Sequence, residues 1–180
     1  MAIMKIVQTL LQTRDSHNRH TLVQRDGRII SATSSINQPI EEENVLQFED
    51  SIGCRLPEDY RLFLMNFNGA KIFQELLDGE NIGGGLELFS IQEIVENLEY
   101  MDTRKQFLPI GYVDQQYLSI TLEAIEKKNP NYLFLLGNTD GPRPLQLNVE
   151  MFLDRFIVSQ GSAFWDWPIY TAKNSQYTDS

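Results

Sequence analysis

The sequence predicts an α+β fold: a single domain whose helices pack around a mixed or mostly antiparallel sheet. Three observations lead there. At 180 residues, 42% of them hydrophobic, the chain suits one core. Apolar residues recur at helical spacing near 2–13, 41–52, 57–67, 91–101 and 148–157. The strand-like runs after residue 106 follow one another instead of alternating with helices, which argues against a βαβ arrangement.

Each element has its own justification. Ile3, Ile6, Val7, Leu10 and Leu11 form one apolar stripe, so residues 2–13 are amphipathic helix. The polar "RDSHNRH" reads as a surface link. "TLVQR" and "RIISA" are short strands around Asp26-Gly27, a dipeptide suited to a hairpin. "TSSINQP" reads as a polar connection. From Glu41, Val45, Phe48 and Ile52 share a helical face, and Gly53 falls where a left-handed residue ends a helix. The next stretch, "LPEDYRLFLMNFNGA", is a buried helix. Pro57 fits its first position, and Glu58 and Asp59 lie in its first turn, where the helix dipole favours acids. Tyr60, Phe63, Leu64 and Phe67 make its main stripe, with Leu62 and Met65 opposite, so a second element should cover that side. Asn68-Gly69 ends it.

After a variable acidic segment, the glycines of "IGGGLELF" lead into a strand; phosphate binding would need them to feed a helix N-terminus. Ser90 and Glu93 form a capping box for a helix carrying Ile91, Ile94, Val95, Leu98 and Met101. "FLPIG", "YLSITL" and "YLFLL" are strands, the last reading as a central one buried on both sides. "GNTDGPRP" is a loop. Asn148 caps a final helix bearing Val149, Phe152, Leu153, Phe156 and Ile157, closed near Gly161.

Composition narrows the function. The net charge is −10, split as +3 over residues 1–37 and −13 over 38–180. Such a surface repels phosphate backbones and anionic lipid, which disfavours nucleic acid and membrane, and it speeds encounter with a basic protein. No apolar run is long enough to span a bilayer, the N-terminus lacks a secretory core, and Cys54 has no internal disulfide partner, so the expected location is the cytoplasm. His17 and His20 are too few for a zinc site, and Cys54 has no identifiable base. No P-loop, G-x-S-x-G, CxxC or HExxH occurs. The expectation is a non-enzyme with neither cofactor nor metal. Acidic and aromatic residues are the candidates for partner contact: Asp114 and Tyr117 in "GYVDQQY", Asp140 in the "GNTDGPRP" loop, and Trp165 and Trp167 in "FWDWP". A second reading of "FWDWP" is that one tryptophan closes the edge of the core.

Taken together, "FEDSIGCRLPEDYRLFLMNFNGA", "LELFSIQEI", "FLPIG", "YLFLL" and "NVEMFLDRFI" resemble the SUKH superfamily, a domain of a fungal cell-wall-synthesis regulator and of many bacterial toxin-immunity proteins. The match covers residues 38–160, with 1–37 as an N-terminal helix-and-hairpin elaboration and 161–180 as a partly disordered C-terminal extension. Its motif positions here are Gly53, Leu56, Pro57, Tyr60, Phe63, Asn68, Gly69, Pro109 and Gly111. Two departures stand out. Ala70 replaces a second glycine after Asn68-Gly69, and "YVDQQY" replaces an Asp/Asn-Gly turn after "PIG". The resemblance implies a binding domain that neutralises a partner, often a secreted toxin. It equally allows a regulatory or scaffold module for endogenous proteins. A small hydrolase or transferase using Cys54 or a carboxylate is the third reading.

Overall fold

A computed structural model describes residues 2–24, 26–100, 106–137 and 141–167. The helices are α1 (Ala2–Gln12), α2 (Glu42–Ile52), α3 (Glu58–Phe67), α4 (Ile91–Tyr100), α5 (Leu122–Glu126) and α6 (Val149–Val158). The strands are β1 (Arg19–Val23), β2 (Ile29–Ile36), β3 (Ala70–Leu77), β4 (Glu80–Gly83), β5 (Leu86–Leu88), β6 (Phe107–Val113), β7 (Gln116–Thr121), β8 (Leu133–Leu136) and β9 (Arg143–Pro144). A 3-10 turn, Phe164–Asp166, follows α6. The described strands form one antiparallel sheet in the order β1-β2-β3-β5-β6-β7-β8-β9, with β4 paired to β3 beside that path. The α+β class holds.

Strand register accounts for the core. Ala70, Leu88, Gly111, Leu118 and Leu135 are successive cross-strand partners, and all are buried. One residue along, the side chains reverse face, as the pleat requires. The neighbouring row is Lys71, Glu87, Tyr112, Tyr117 and Leu136, and each of these is at least partly exposed. Gly111 keeps its buried row closed: a Cβ there would lie 2.4 Å from the Glu87 carbonyl oxygen.

The helix in "LPEDYRLFLMNF" forms as its spacing dictates. Tyr60, Phe63 and Leu64 have no accessible surface, and Phe67 is nearly as buried. Burying one such side chain contributes about 1.5–3 kcal/mol, against about 0.3–1 kcal/mol for an acid in the first turn. Packing therefore holds α3, and the acids answer to something else. Asp59 shows what. Its Oδ1 accepts the Tyr132 hydroxyl at 2.6 Å, and its Oδ2 accepts the Glu150 N–H at 3.2 Å. The Tyr132 oxygen in turn accepts the Val149 N–H at 3.1 Å. Asp59 thus caps the N-terminus of α6 as well as beginning α3. Burial, with Asp59 alongside, pushes the Tyr132 hydroxyl far above its ordinary pKa, so it stays protonated and donating. Pro57 itself precedes the first helical residue as N-cap, one position earlier than its residue type suggests.

The corner between α2 and α3 rests on a second acid. Gly53 adopts the left-handed conformation, φ 70°, and ends α2. Glu49 is 2% exposed. It accepts the Leu56 N–H at 2.7 Å and Arg55 Nη1 at 3.1 Å, and pairs with Arg61 Nε at 3.1 Å. Asn68 then closes α3: its side chain accepts the Ile91 N–H at 3.1 Å, joining the end of α3 to the start of α4. Ser90 and Glu93 make the expected reciprocal cap.

Several expectations need correction. The acidic segment after Ala70, to which the sequence assigns no element, contains β3, which lies inside the sheet, and β4. "TSSI" belongs to β2, and its partner across the sheet is β3. "YLFLL" is not central. It is the penultimate strand, with Leu133 and Leu135 buried and Phe134 and Leu136 half-exposed. Leu122 opens a short helix instead of ending a strand. His20 lies in β1, buried, and not in a surface link. Met101 and the tail beyond Trp167 lie outside the described residues.

β3 carries the main irregularity. Its register with β2 shifts between Thr33 and Ser35, and Phe73 sits there at φ 58° with its N–H bonded to Ser34 Oγ at 3.1 Å. Opposite the bulge, β3 changes partner from β4 to β5, and Gly84 and Gly85 make the passage. Both have positive φ, but their surroundings differ. A Cβ on Gly84 meets open space; on Gly85 it would lie 2.2 Å from the Ile72 carbonyl oxygen and 2.5 Å from that of Phe73. Chemical denaturation should therefore separate them. Gly84→Ala should cost about 1–2 kcal/mol, the left-handed penalty alone. Gly85→Ala should cost several times more or prevent folding, because sheet backbone must move. Equal costs would mean that the close approach at Gly85 is absent.

His20 yields a pH dependence. Its ring stands edge-on to Phe73 at 5.1 Å, and Nδ1 meets Thr13 Oγ1 at 3.1 Å. Burial lowers its pKa, Arg14 adds to that, and Asp15 opposes it. Since the folded pKa lies below the unfolded value, the stabilisation is complete above about pH 6.5 and is lost as pH falls toward the folded value. Between about pH 7.5 and 5.5, the native chain should lose more unfolding free energy than His20→Phe. Parallel pH profiles would contradict the burial effect.

Candidate functional site

One end of the sheet gathers Gln24 just after β1, the glycines between β4 and β5, and the last residues of β6. The chain following α6 crosses over it. Between them lies an open groove of about 650 Å³. Its floor and rim include Glu87, Tyr112 and Asp114, and its far wall is Trp165, Asp166 and Trp167.

The wall is built from the core outward. Phe73, Phe156 and Phe152 stack in sequence, with centroids 6.1 and 6.0 Å apart. Trp165 stacks on Phe152 at 5.7 Å and 18°, and Phe164 meets both rings. Arg143 of β9 fixes the turn from outside: Nη1 donates to Asp166 Oδ1 at 2.5 Å and Nη2 to the Trp165 carbonyl at 2.6 Å. Trp165 is therefore locked, whereas Trp167 is 46% exposed. Trp165 thus packs on the edge of the core, and Trp167 faces outward.

The opposite rim is the β6–β7 hairpin. Val113 pairs with Gln116, so Asp114 and Gln115 alone make the turn, with φ 48° and 61°. Two-residue hairpins of this hand favour Asn-Gly or Asp-Gly, and Gln115 holds the left-handed position without glycine. Asp114 is exposed and makes no ion pair among the described residues. Tyr117 is not in the turn. It lies in β7, half-buried, edge-on to Tyr112 at 5.3 Å and to Phe89 at 6.4 Å.

Of the sequence candidates, Asp114, Trp165 and Trp167 converge on this groove; Tyr117 supports its Tyr112, and Asp140 lies outside the described residues. Glu87 and Tyr112 are groove residues that the sequence does not point to. Glu87 and Tyr112 are direct cross-strand partners, and only the register reveals it. Asp166, the acid between the two tryptophans of "FWDWP", lines the groove as well. Three carboxylates line the groove: Glu87 pairs with Lys71 at 2.8 Å and Asp166 with Arg143. No Lys, Arg or His is among the described lining residues.

A second hollow of about 710 Å³ lies between Leu56, Pro57, Leu62, Ile125 and Pro130, beside Tyr132. Cys54, near it in sequence, is half-exposed, and burial together with Glu49 and Glu126 raises its thiol pKa, opposite to what a nucleophile needs. His17 is exposed while His20 is buried, so the pair shares no site. Among the described residues no group of three or more His, Cys, Asp or Glu is placed to hold a metal ion. No described helix is long and apolar enough to cross a membrane.

Comparison with known proteins identifies a family. Residues 39–155 match the model of the SMI1 / KNR4 family (SUKH-1). The chain is 41% identical over 174 residues to the uncharacterized protein YobM of Bacillus subtilis, covering 94% of each chain. It is 26% identical to B. subtilis YnaB, over 75% of this chain and 88% of that one. It is also 29% identical to human F-box only protein 3 over 78% of this chain, which spans 30% of that longer protein. Domains of this family are protein-interaction modules, generally binding rather than catalysing. With its helix-corner motif, antiparallel sheet and matching residues, the chain belongs to the SMI1 / KNR4 (SUKH-1) family.

Proposed function

We propose that this chain is a non-enzymatic, cytoplasmic immunity protein that binds and neutralises a basic toxin, with the sheet-end groove as its contact surface. One observation carries the reading: Asp114, Trp165 and Trp167, far apart in sequence, meet in a single groove whose described lining has carboxylates and no cation. Rigid aromatics supply contact area at small entropic cost, and acids supply selection for a basic partner. The family match and the charge of −10 support the same direction. If the toxin is a nuclease, its cleft is built for phosphates, and an acidic protein occupies it as a mimic of nucleic acid. In this reading residues 38–160 form the common binding unit, while 1–37 and 161–180 elaborate it. The second reading, a regulatory or scaffold module for endogenous proteins, draws on the family shared with the fungal cell-wall-synthesis regulator.

Co-expression tests the proposal. Cells producing a toxin encoded beside this chain should survive when the chain is co-expressed. In vitro, association should slow by about tenfold or more between low salt and about 0.5 M salt, as steered encounters do. Rescue without any salt dependence would remove the electrostatic mechanism. No rescue, together with pull-down of endogenous proteins only, would replace immunity with the regulatory reading.

A further inference from the structure

Building on the protein-binding reading, we propose that the groove captures an arginine side chain presented on a loop of the partner. Its guanidinium would lie against Trp167 or Tyr112 and pair with Asp114. Charge is the first argument. Of the groove's three carboxylates, Glu87 and Asp166 already have internal partners, and Asp114 makes no ion pair among the described residues. The rim therefore presents one uncompensated negative charge to an incoming cation. A phosphate or carboxylate ligand would meet acids and no described lining cation, so anionic ligands do not fit.

Aromatic exposure is the second argument. Trp167 is 46% exposed and Tyr112 38% exposed, and both line the groove that Asp114 overlooks. A planar guanidinium stacks on such rings while its edge bonds a carboxylate; an ammonium makes the ion pair but stacks less well. The chain already holds one guanidinium by its hydrogen-bonding edge at this turn. On the outer side of the wall, the Arg143 guanidinium forks onto the Asp166 carboxylate and the Trp165 carbonyl and occupies both acceptors, which leaves Asp114 as the carboxylate open to a second guanidinium. Size is the third. About 650 Å³ lies in the range of roughly 300–1,000 Å³ typical of small-ligand sites, ample room for one arginine side chain.

The probe is the blocked peptide acetyl-Gly-Arg-Gly-amide, titrated into the full chain while its two tryptophan indole N–H signals are followed by NMR. Peptides with citrulline or lysine in place of arginine serve as controls. Saturable indole shifts are expected, with citrulline, which is neutral and nearly isosteric, at least about tenfold weaker and lysine intermediate. Asp114→Asn and Trp167→Ala should each weaken the arginine peptide by about threefold or more, with unchanged thermal unfolding. Equal binding of arginine and citrulline, no saturable shift up to about 10 mM, or indifference to Asp114→Asn would overturn arginine capture. The toxin assay separates this failure from that of the immunity reading. Rescue that persists undiminished in Asp114→Asn and Trp167→Ala overturns capture and leaves immunity standing. Citrulline-discriminating binding by a chain that neutralises no toxin upholds capture and overturns immunity.

Discussion

The Asp59 carboxylate is the contact on which the rest of the architecture depends. It sits in the first turn of α3, yet its oxygens serve β8 and α6: one takes the Tyr132 hydroxyl, the other the Glu150 N–H. A helix N-terminus leaves four N–H groups without internal partners. At α6 three of these are taken by side chains, with Tyr132, Asp59 and Asn148 serving Val149, Glu150 and Met151 in turn. Glu150 then reaches the Ile3 N–H at 3.2 Å, bringing α1 into the same junction. The acid in "LPEDY" is thus a tertiary fastening between elements far apart in sequence.

What it fastens bears on the groove. α6 carries Phe152 and Phe156, and these rings connect the bulge at Phe73 to the wall at Trp165. Moving the start of α6 would move the platform on which Trp165 is stacked. Three of the nine described non-glycine residues at positive φ bear on the groove. Phe73, Asp114 and Gln115 hold positive φ without being glycine, at about 1–2 kcal/mol each, and the packed sheet behind them absorbs the cost. A rigid scaffold thereby presents exposed Trp167 and Asp114 on loops, the usual division between framework and contact surface.

The helices were legible because each announces itself locally. Apolar spacing gave α1, α2, α3, α4 and α6; Gly53 gave the α2 stop, the Ser90–Glu93 box the α4 start and Asn148 the α6 cap. β3 was not legible. Its alternation breaks at the Phe73 bulge, so "AKIFQELL" shows no clean period of two. Glu49 could have been found: with Val45, Phe48 and Ile52 it completes the i, i+3, i+4, i+7 stripe, and a charge on a buried stripe calls for partners. His20 was misplaced because its neighbours are polar while its strand face is not. Of the groove, Asp114 and the tryptophans were visible as residue types. Their meeting, and the parts of Glu87 and Tyr112, depend on register and on the path after α6, which no local pattern encodes.

A double-mutant cycle on Asp59→Ala and Tyr132→Phe, read by chemical denaturation, tests the fastening most directly. If the two groups act as one junction at α6, the double variant should lose less stability than the sum of the single variants, with a coupling of about 1–3 kcal/mol. Additivity within about 0.5 kcal/mol would show that they act separately and that α6 is held by its apolar face alone.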